Sequence, residues 1–192
     1  LLIECRIRKV SPLRADISSL RMVQWAFRMV VKVAGVKLTV IGEEKIPADT
    51  AVLYVANHRS MFDILITYAR CKNRTGFVAK KEIEKFRPLS DWMRALHCLF
   101  LDRKDIKAGL KTILEAIEKI KEGISIFIFP EGTRCKAESD LDMLPFHDGS
   151  FKIATKTKCP IIPVAISNTN QIFEAHFPIV KPVKVVVEYC DP

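Results

Sequence analysis

The chain has 192 residues, 49% of them hydrophobic, and carries 31 Lys and Arg against 22 Asp and Glu, a net charge of +9. That length is enough for one domain with a sizeable core, and the basic balance favours an anionic partner: nucleic acid, an anionic membrane surface or a phosphorylated substrate. No apolar run reaches the ~18 residues of a membrane-spanning helix, and no secretory signal pattern opens the sequence. The six cysteines (Cys5, Cys71, Cys98, Cys135, Cys159, Cys190) are scattered singly, with no Cys-x-x-Cys pair. Zinc and disulfide readings are therefore weak, and reduced thiols in a cytosolic setting are expected. The sequence opens on Leu1 rather than Met and stops at Asp191-Pro192, so a trimmed chain is expected.

Residues 17–36 read as a helix in which Arg21, Arg28 and Lys32 share one face, with Met22, Trp25, Met29 and Val33 on a neighbouring face. A basic stripe beside large apolar side chains suits a helix lying in a lipid headgroup layer, and equally an ordinary surface helix over a core. β-rich runs follow at 37–41, 51–56, 75–79, 97–101, 124–129, 161–166 and 183–189. Helical runs at 63–70 and 103–121 lie between them. The second sets Ile106, Leu110, Ile113, Leu114, Ile117 and Ile120 on one face, with Gly123 just past its end. Such alternation predicts a single α/β domain with a largely parallel or mixed sheet flanked by helices. Its ligands are expected at the carboxyl ends of the strands. Segments 43–49 and 138–148 read as polar loops, and the chain divides into an N-terminal helical segment, 1–36, and an α/β domain, 37–192.

The 51–56 strand runs into Asn57-His58-Arg59-Ser60-Met61-Phe62-Asp63. On one continuous helix the five-residue offset would point His58 and Asp63 apart. They meet only if His58 sits in the turn before a helix that Ser60 caps. A carboxylate on one imidazole nitrogen then frees the other to take a proton from a hydroxyl. The competing reading is a capping box, with Asp63 bonding back to the Ser60 amide.

Strand 124–129 runs into Pro130-Glu131-Gly132-Thr133-Arg134. Gly132 permits close backbone approach, Thr133 offers a hydroxyl and Arg134 a bidentate fork for a phosphate; Glu131 is placed to anchor that arginine or hold a substrate hydroxyl. A tight turn with a surface Glu-Arg pair is the plainer alternative. Two further strand ends bring cations, Asp102-Arg103 and Lys80-Lys81, with Asp102 a candidate N-cap of the next helix. Together these ends suit a phosphorylated nucleophile activated by a base.

Asn-His-x4-Asp at 57–63, Phe-Leu-Asp-Arg at 100–103, Phe-Pro-Glu-Gly-Thr-Arg at 129–134 and Ile-Pro-Val at 162–164 occur in the order of four blocks of the glycerolipid acyltransferases. The chain resembles that family over about residues 37–192, and within it the 1-acylglycerol-3-phosphate acyltransferases. The resemblance implies that His58 is the general base and Asp63 its orienting carboxylate. It implies that Lys80, Arg103, Glu131, Gly132, Thr133 and Arg134 form the site for the acceptor phosphate, and that Ile162 and Pro163 border the acyl site. It further implies no metal or prosthetic group, an acyl donor carried on coenzyme A or acyl carrier protein, and action at the cytoplasmic face of a membrane as a peripheral or monotopic protein. The expected partners are a lysophospholipid acceptor and an anionic membrane surface, with acyl carrier protein as one donor, and no nucleic acid. Backbone amides near the first block are the expected oxyanion donors. The N-terminal anchor is short here, with one clear helix and an undecided segment at 1–14. The acceptor stays open between 1-acylglycerol 3-phosphate and another glycerolipid acceptor such as glycerol 3-phosphate. Two readings from other classes stand beside this one: a non-catalytic peripheral lipid-binding module and, on net charge alone, a nucleic-acid binder without a recognition motif.

Overall fold

The structure, a computed structural model, describes residues 11–137, 139 and 141–192. The decisions that sequence left for residues 1–10, including Cys5, lie outside the described residues. In chain order the elements are α1 (Pro12–Val33), β1 (Lys37–Ile41), β2 (Leu53–Ala56), α2 (Met61–Tyr68), β3 (Thr75–Lys80), α3 (Arg87–Ala95), β4 (Leu99–Leu101), α4 (Ile106–Lys121), β5 (Ser125–Ile128), α5 (Lys152–Thr157), β6 (Ile161–Ser167) and β7 (Lys184–Tyr189). One seven-stranded sheet has the order β1-β7-β6-β2-β5-β3-β4. Every pairing is parallel except β6 with β7. The sheet is therefore mixed, and largely parallel in the half that carries the candidate residues.

Burial follows from which faces are covered. Strands β2 and β5 are buried at every position, whereas β6 and β7 alternate buried with open. Helices cover both faces of the central strands, so Leu-Tyr-Val-Ala and Ser-Ile-Phe-Ile need no polar alternation. On one face Tyr54, Phe127, Ile162 and Val164 pack in a cluster with Leu20 and Val23 of α1 and Phe62 and Ile66 of α2. On the other, Leu53, Val55, Ile126 and Ile128 meet Ala116, Ile117 and Ile120 of α4 and Ile153 of α5. An aromatic stack runs through the first cluster, with Tyr54–Phe127 at 5.3 Å, Phe127–Phe129 at 5.3 Å and Phe129–His58 at 4.2 Å between ring centroids. The core thus extends directly beneath the imidazole.

Several predicted boundaries shift for identifiable reasons. Helix α1 begins at Pro12, a residue preorganised for a first turn. Its buried face is Ala15, Asp16, Ser19, Leu20, Val23 and Gln24, while Met22, Trp25, Met29 and Val33 are 40–81% exposed. Arg28 stays exposed, and its guanidinium donates to the Ala69 carbonyl at the end of α2 at 3.1 and 3.2 Å. Helix α4 starts at Ile106, and its N-cap is Asp105, which accepts from the Lys107 and Ala108 amides. Asp102 instead pairs with Lys81 at 3.0 Å. The single apolar face expected on α4 divides: Ile117 and Ile120 enter the core, and Ile106, Leu110 and Leu114 stay exposed. Strand β4 begins at Leu99, not His97, because His97 has a positive φ of 61° and closes the turn after α3.

Candidate active site

The chain after β2 leaves the sheet at Asn57, whose amide side chain clamps both the N–H and the C=O of Ile166 on β6 at 2.8 Å each. This fixes the exit direction of the loop. Ser60 then caps α2: its hydroxyl accepts from the Phe62 amide, and Asp63 Oδ2 accepts from the Ser60 amide at 2.8 Å. The capping box is therefore real. The same Oδ2 also accepts from His58 Nδ1 at 2.9 Å and from the Arg59 amide at 2.7 Å, while Oδ1 accepts from the Thr169 hydroxyl. Cap and His-Asp pair are thus not alternatives, since one fully buried carboxylate does both. A carboxylate oxygen only accepts, so Nδ1 is the donor in this contact, and Nε2 is the ring nitrogen that Asp63 does not engage. The ring stacks on Phe129 at an interplanar angle of 21° and lines a cavity of about 1180 Å³.

The loop after β5 is bound to this one from beneath. Glu131 is 3% exposed, and its two oxygens accept from the His58 amide at 2.6 Å and the Leu144 amide at 2.8 Å. The expectation that Glu131 anchors Arg134 or holds a substrate hydroxyl gives way to this geometry: both oxygens are engaged by backbone amides, and Arg134 lies elsewhere. The Cys135 amide returns a bond to the His58 carbonyl at 2.7 Å. Buried Arg59 donates to the carbonyls of Ala137 and Ser139, holding the outer part of the same loop. Arg134 pairs at 2.8 Å with Glu174, which also accepts from the Ser60 hydroxyl at 2.6 Å and the Met61 amide at 2.8 Å. The amides of residues 58 to 62 are then all engaged, by Glu131, Asp63, Glu174 and the Ser60 hydroxyl. They are not available as the oxyanion donors expected from the first block.

Sequence reasoning did not single out Asn57, Thr169 or Glu174 as parts of the site. The last two lie 106 and 114 residues from their partners, and no local pattern announces that meeting.

The cavity has two characters. One arm, between α1, α2 and α3, is lined by Val23, Phe27, Leu65, Trp92, Met93 and Leu96. The other, over the ends of β3, β4 and β5, is lined by Lys80, Arg103, Gly132, Thr133, Arg134 and His147. His58 lies on the wall of this same cavity. Lys80 faces Glu82 at 3.2 Å. Partial burial presses the Arg103 guanidinium below its ordinary range, with Glu82 acting the other way, and Arg103 has no ion-pair partner among the described residues. Gly132 has a φ of 73°, and a Cβ there would meet the His147 ring at 3.1 Å. Only glycine both adopts this turn and leaves that space. Ile162 and Pro163 are not brought to the cavity. Ile162 is fully buried in the core beneath the sheet, and Pro163 pairs with Val55 in register and gives its carbonyl to the Cys190 amide. Both sit on β6, separated from β5 and β3 by β2.

Known proteins share this sequence and arrangement. The profile of the Acyltransferase family matches residues 37–167. A 1-acyl-sn-glycerol-3-phosphate acyltransferase of Saccharomyces cerevisiae is 36% identical over 140 residues, covering 72% of this chain and 45% of the relative. One from Borreliella burgdorferi is 32% identical over 152 residues, covering 79% of this chain and 60% of the relative. This chain thus spans about half the length of the curated relatives it matches. The crystal structure of the 1-acyl-sn-glycerophosphate (LPA) acyltransferase PlsC from Thermotoga maritima superposes with a TM-score of 0.80 at 30% identity, covering 93% of this chain and 70% of that one. With the profile spanning more than half of its residues, this chain belongs to the acyltransferase family.

Proposed function

We propose that the chain moves a fatty acyl group from an acyl-CoA or acyl-ACP thioester to the sn-2 hydroxyl of 1-acylglycerol 3-phosphate, giving phosphatidic acid. The observation that carries this reading is the His58–Asp63 pair on the wall of a cavity that is apolar on one side and cationic on the other. The acceptor hydroxyl gives its proton to His58 Nε2 as its oxygen attacks the thioester carbonyl. The tetrahedral intermediate collapses with cleavage of the C–S bond, and the thiolate takes the proton back from the imidazolium. Proton removal by His58 is general base catalysis, which typically supplies ~100- to 10,000-fold in rate; Asp63 holds the ring and stabilises its charged form. A thioester is already activated, so the proposed transfer needs no metal or prosthetic group. Arg103 at the cationic side would take the acceptor's phosphate.

The N-terminal segment would hold the domain on the cytoplasmic face of a membrane as a peripheral or monotopic protein. Supporting this, α1 leaves Trp25, Met29 and Val33 exposed beside Arg21 and Lys32. Basic residues at an anionic surface contribute about 1 kcal/mol each. No helix among the described residues is long and apolar enough to cross a membrane.

The test is thiol release from an acyl thioester on anionic vesicles carrying 1-acylglycerol 3-phosphate. Release by the native chain that depends on the acceptor and falls ~100-fold or more in His58→Ala is expected. Release that survives the substitution would remove His58 from the chemistry. Flotation of the same vesicles with Trp25→Glu should leave less protein bound; unchanged binding would remove α1 from the membrane contact.

A further inference from the structure

The cations that the sequence motifs display are, for the most part, already paired. Lys80 faces Glu82, and Arg134 faces Glu174, so each brings little net charge to a ligand. The carboxylates that line the cavity are engaged as well: Asp102 by Lys81 and the Lys104 amide, Asp105 by the first amides of α4. Three basic side chains on the cavity wall remain without a hydrogen-bond or ion-pair partner among the described residues: Arg103, His147 and Lys152.

The place of His147 is built rather than incidental. Its amide donates to the Pro130 carbonyl at 3.0 Å, and its carbonyl accepts from the Ser150 amide at 3.0 Å, so its backbone is tied to the loop of residues 130–134. The ring lies against the bare α-carbon of Gly132. A Cβ built at Gly132 would stand 3.1 Å from its Nε2 and 3.7 Å from Arg103 Cζ. Imidazole and guanidinium therefore flank one glycine, where an added Cβ would crowd the His147 ring and only touch Arg103. Lys152, at the start of α5, lines the same cavity.

We propose that Arg103, His147 and Lys152 together hold the acceptor's phosphomonoester, and that His147 and Lys152 determine the preference for a phosphorylated over an uncharged acceptor. The proposal deepens the acyltransferase reading and rests on it. A phosphomonoester carries about two negative charges near pH 7, one more than a phosphodiester. A single free guanidinium balances one of them, and the second calls for further uncommitted donors. Lys80 and Arg134 remain on the wall as paired groups that shape it.

The experiment compares native chain, His147→Ala, His147→Lys and Lys152→Met with 1-acylglycerol 3-phosphate and with uncharged 1-acylglycerol as acceptors. His147→Ala and Lys152→Met should each raise KM for the phosphorylated acceptor about tenfold, with kcat within about twofold, because a charged hydrogen bond is lost from binding and not from the chemical step. KM for the uncharged acceptor should stay put, and His147→Lys should restore most of the lost affinity. Unchanged KM in both substitutions, or an equal rise with both acceptors, would overturn the assignment. A native chain that acylates neither acceptor would count against the acyltransferase reading itself. Titration with glycerol 3-phosphate, followed on the His147 ring resonances, then decides the anion site alone: shifts lost in Lys152→Met support it, and a ring that ignores the ligand refutes it.

Discussion

At the carboxyl ends of the central strands, His58 Nδ1 lies 2.9 Å from Asp63; at their opposite ends, before β4, His97 Nε2 lies 2.8 Å from Asp16. The imidazoles are 15% and 16% exposed, and both carboxylates are buried. By distance and burial the two pairs cannot be told apart. The difference lies in what surrounds them. Asp63 is five residues from its histidine, is fixed by a helix cap and the Thr169 hydroxyl, and leaves His58 on the cavity wall. Asp16 comes from α1, 81 residues away, shares its oxygen with Arg74 at 3.4 Å, and its histidine lines no part of that cavity. The first pair leaves an imidazole on the wall of a cavity, where the proposed base has room to act. The second docks a helix. A His-Asp contact is thus a candidate catalytic device only where the remaining nitrogen has somewhere to act.

The comparison is broken most directly by paired substitutions. Asp63→Asn keeps the shape of the cap but removes the charge behind the imidazole, and thiol release should fall on the order of 10³-fold. Asp16→Asn should leave release within about twofold, because His97 takes no part in proposed proton transfer. Equal losses in the two variants would mean that the upper pair, too, is structural. The lower pair is tested by stability instead. Asp16→Ala leaves His97 and Arg74 without their shared carboxylate and should cost about 2–3 kcal/mol in denaturant unfolding, below the 3–5 kcal/mol of a fully buried pair because both partners reach water. Glu174→Ala sharpens the account of the upper site. It releases the Ser60 hydroxyl, the Met61 amide and Arg134 together. A drop of about tenfold in kcat is expected, since a small misplacement of the base is enough for that. A change confined to KM would instead make Glu174 part of the binding site.

Much of this was legible in the sequence, because it depends on short-range pattern. All seven strands lie within the predicted runs give or take a residue or two, since β2 and β5 are continuous apolar segments bounded by turns. The His58–Asp63 contact was readable because Ser60 announces the helix start between them. Helix α3 was missed: its nine residues include Arg87, Pro88, Ser90, Asp91 and Arg94, too polar for an apolar period to show. The contacts of Thr169 and Glu174 arise only when β6 is laid beside β2, which no spacing encodes. Glu131 is the instructive case between these. Its position in the motif singled it out, but its burial turned the carboxylate toward the His58 and Leu144 amides and away from solvent.

The smallest expected effect concerns the wall of the apolar arm. Cys98 lines it, and Cys71 is buried in the same cluster. Burial pushes the Cys98 thiol up to about 11, with the Phe77 amide acting the other way, and pushes Cys71 up to about 12. In the unfolded chain both titrate near 8.5. Above that pH the unfolded state releases these protons while the folded state keeps them, so stability falls as pH rises, and flattens only past the folded values. The loss is about 0.8 kcal/mol per thiol at pH 9. Denaturant midpoints at pH 7.5 and 9 measure it, and Cys98→Ala should remove about half of the decline while lowering the starting stability through the space it opens. The same protonated thiols should resist Ellman's reagent in the folded chain at pH 8, where the partly exposed Cys159 and Cys190 react. Rapid labelling of Cys98 would mean that the apolar arm is open to water, and the acyl chain proposed to lie there would then have no dry wall against which to pack.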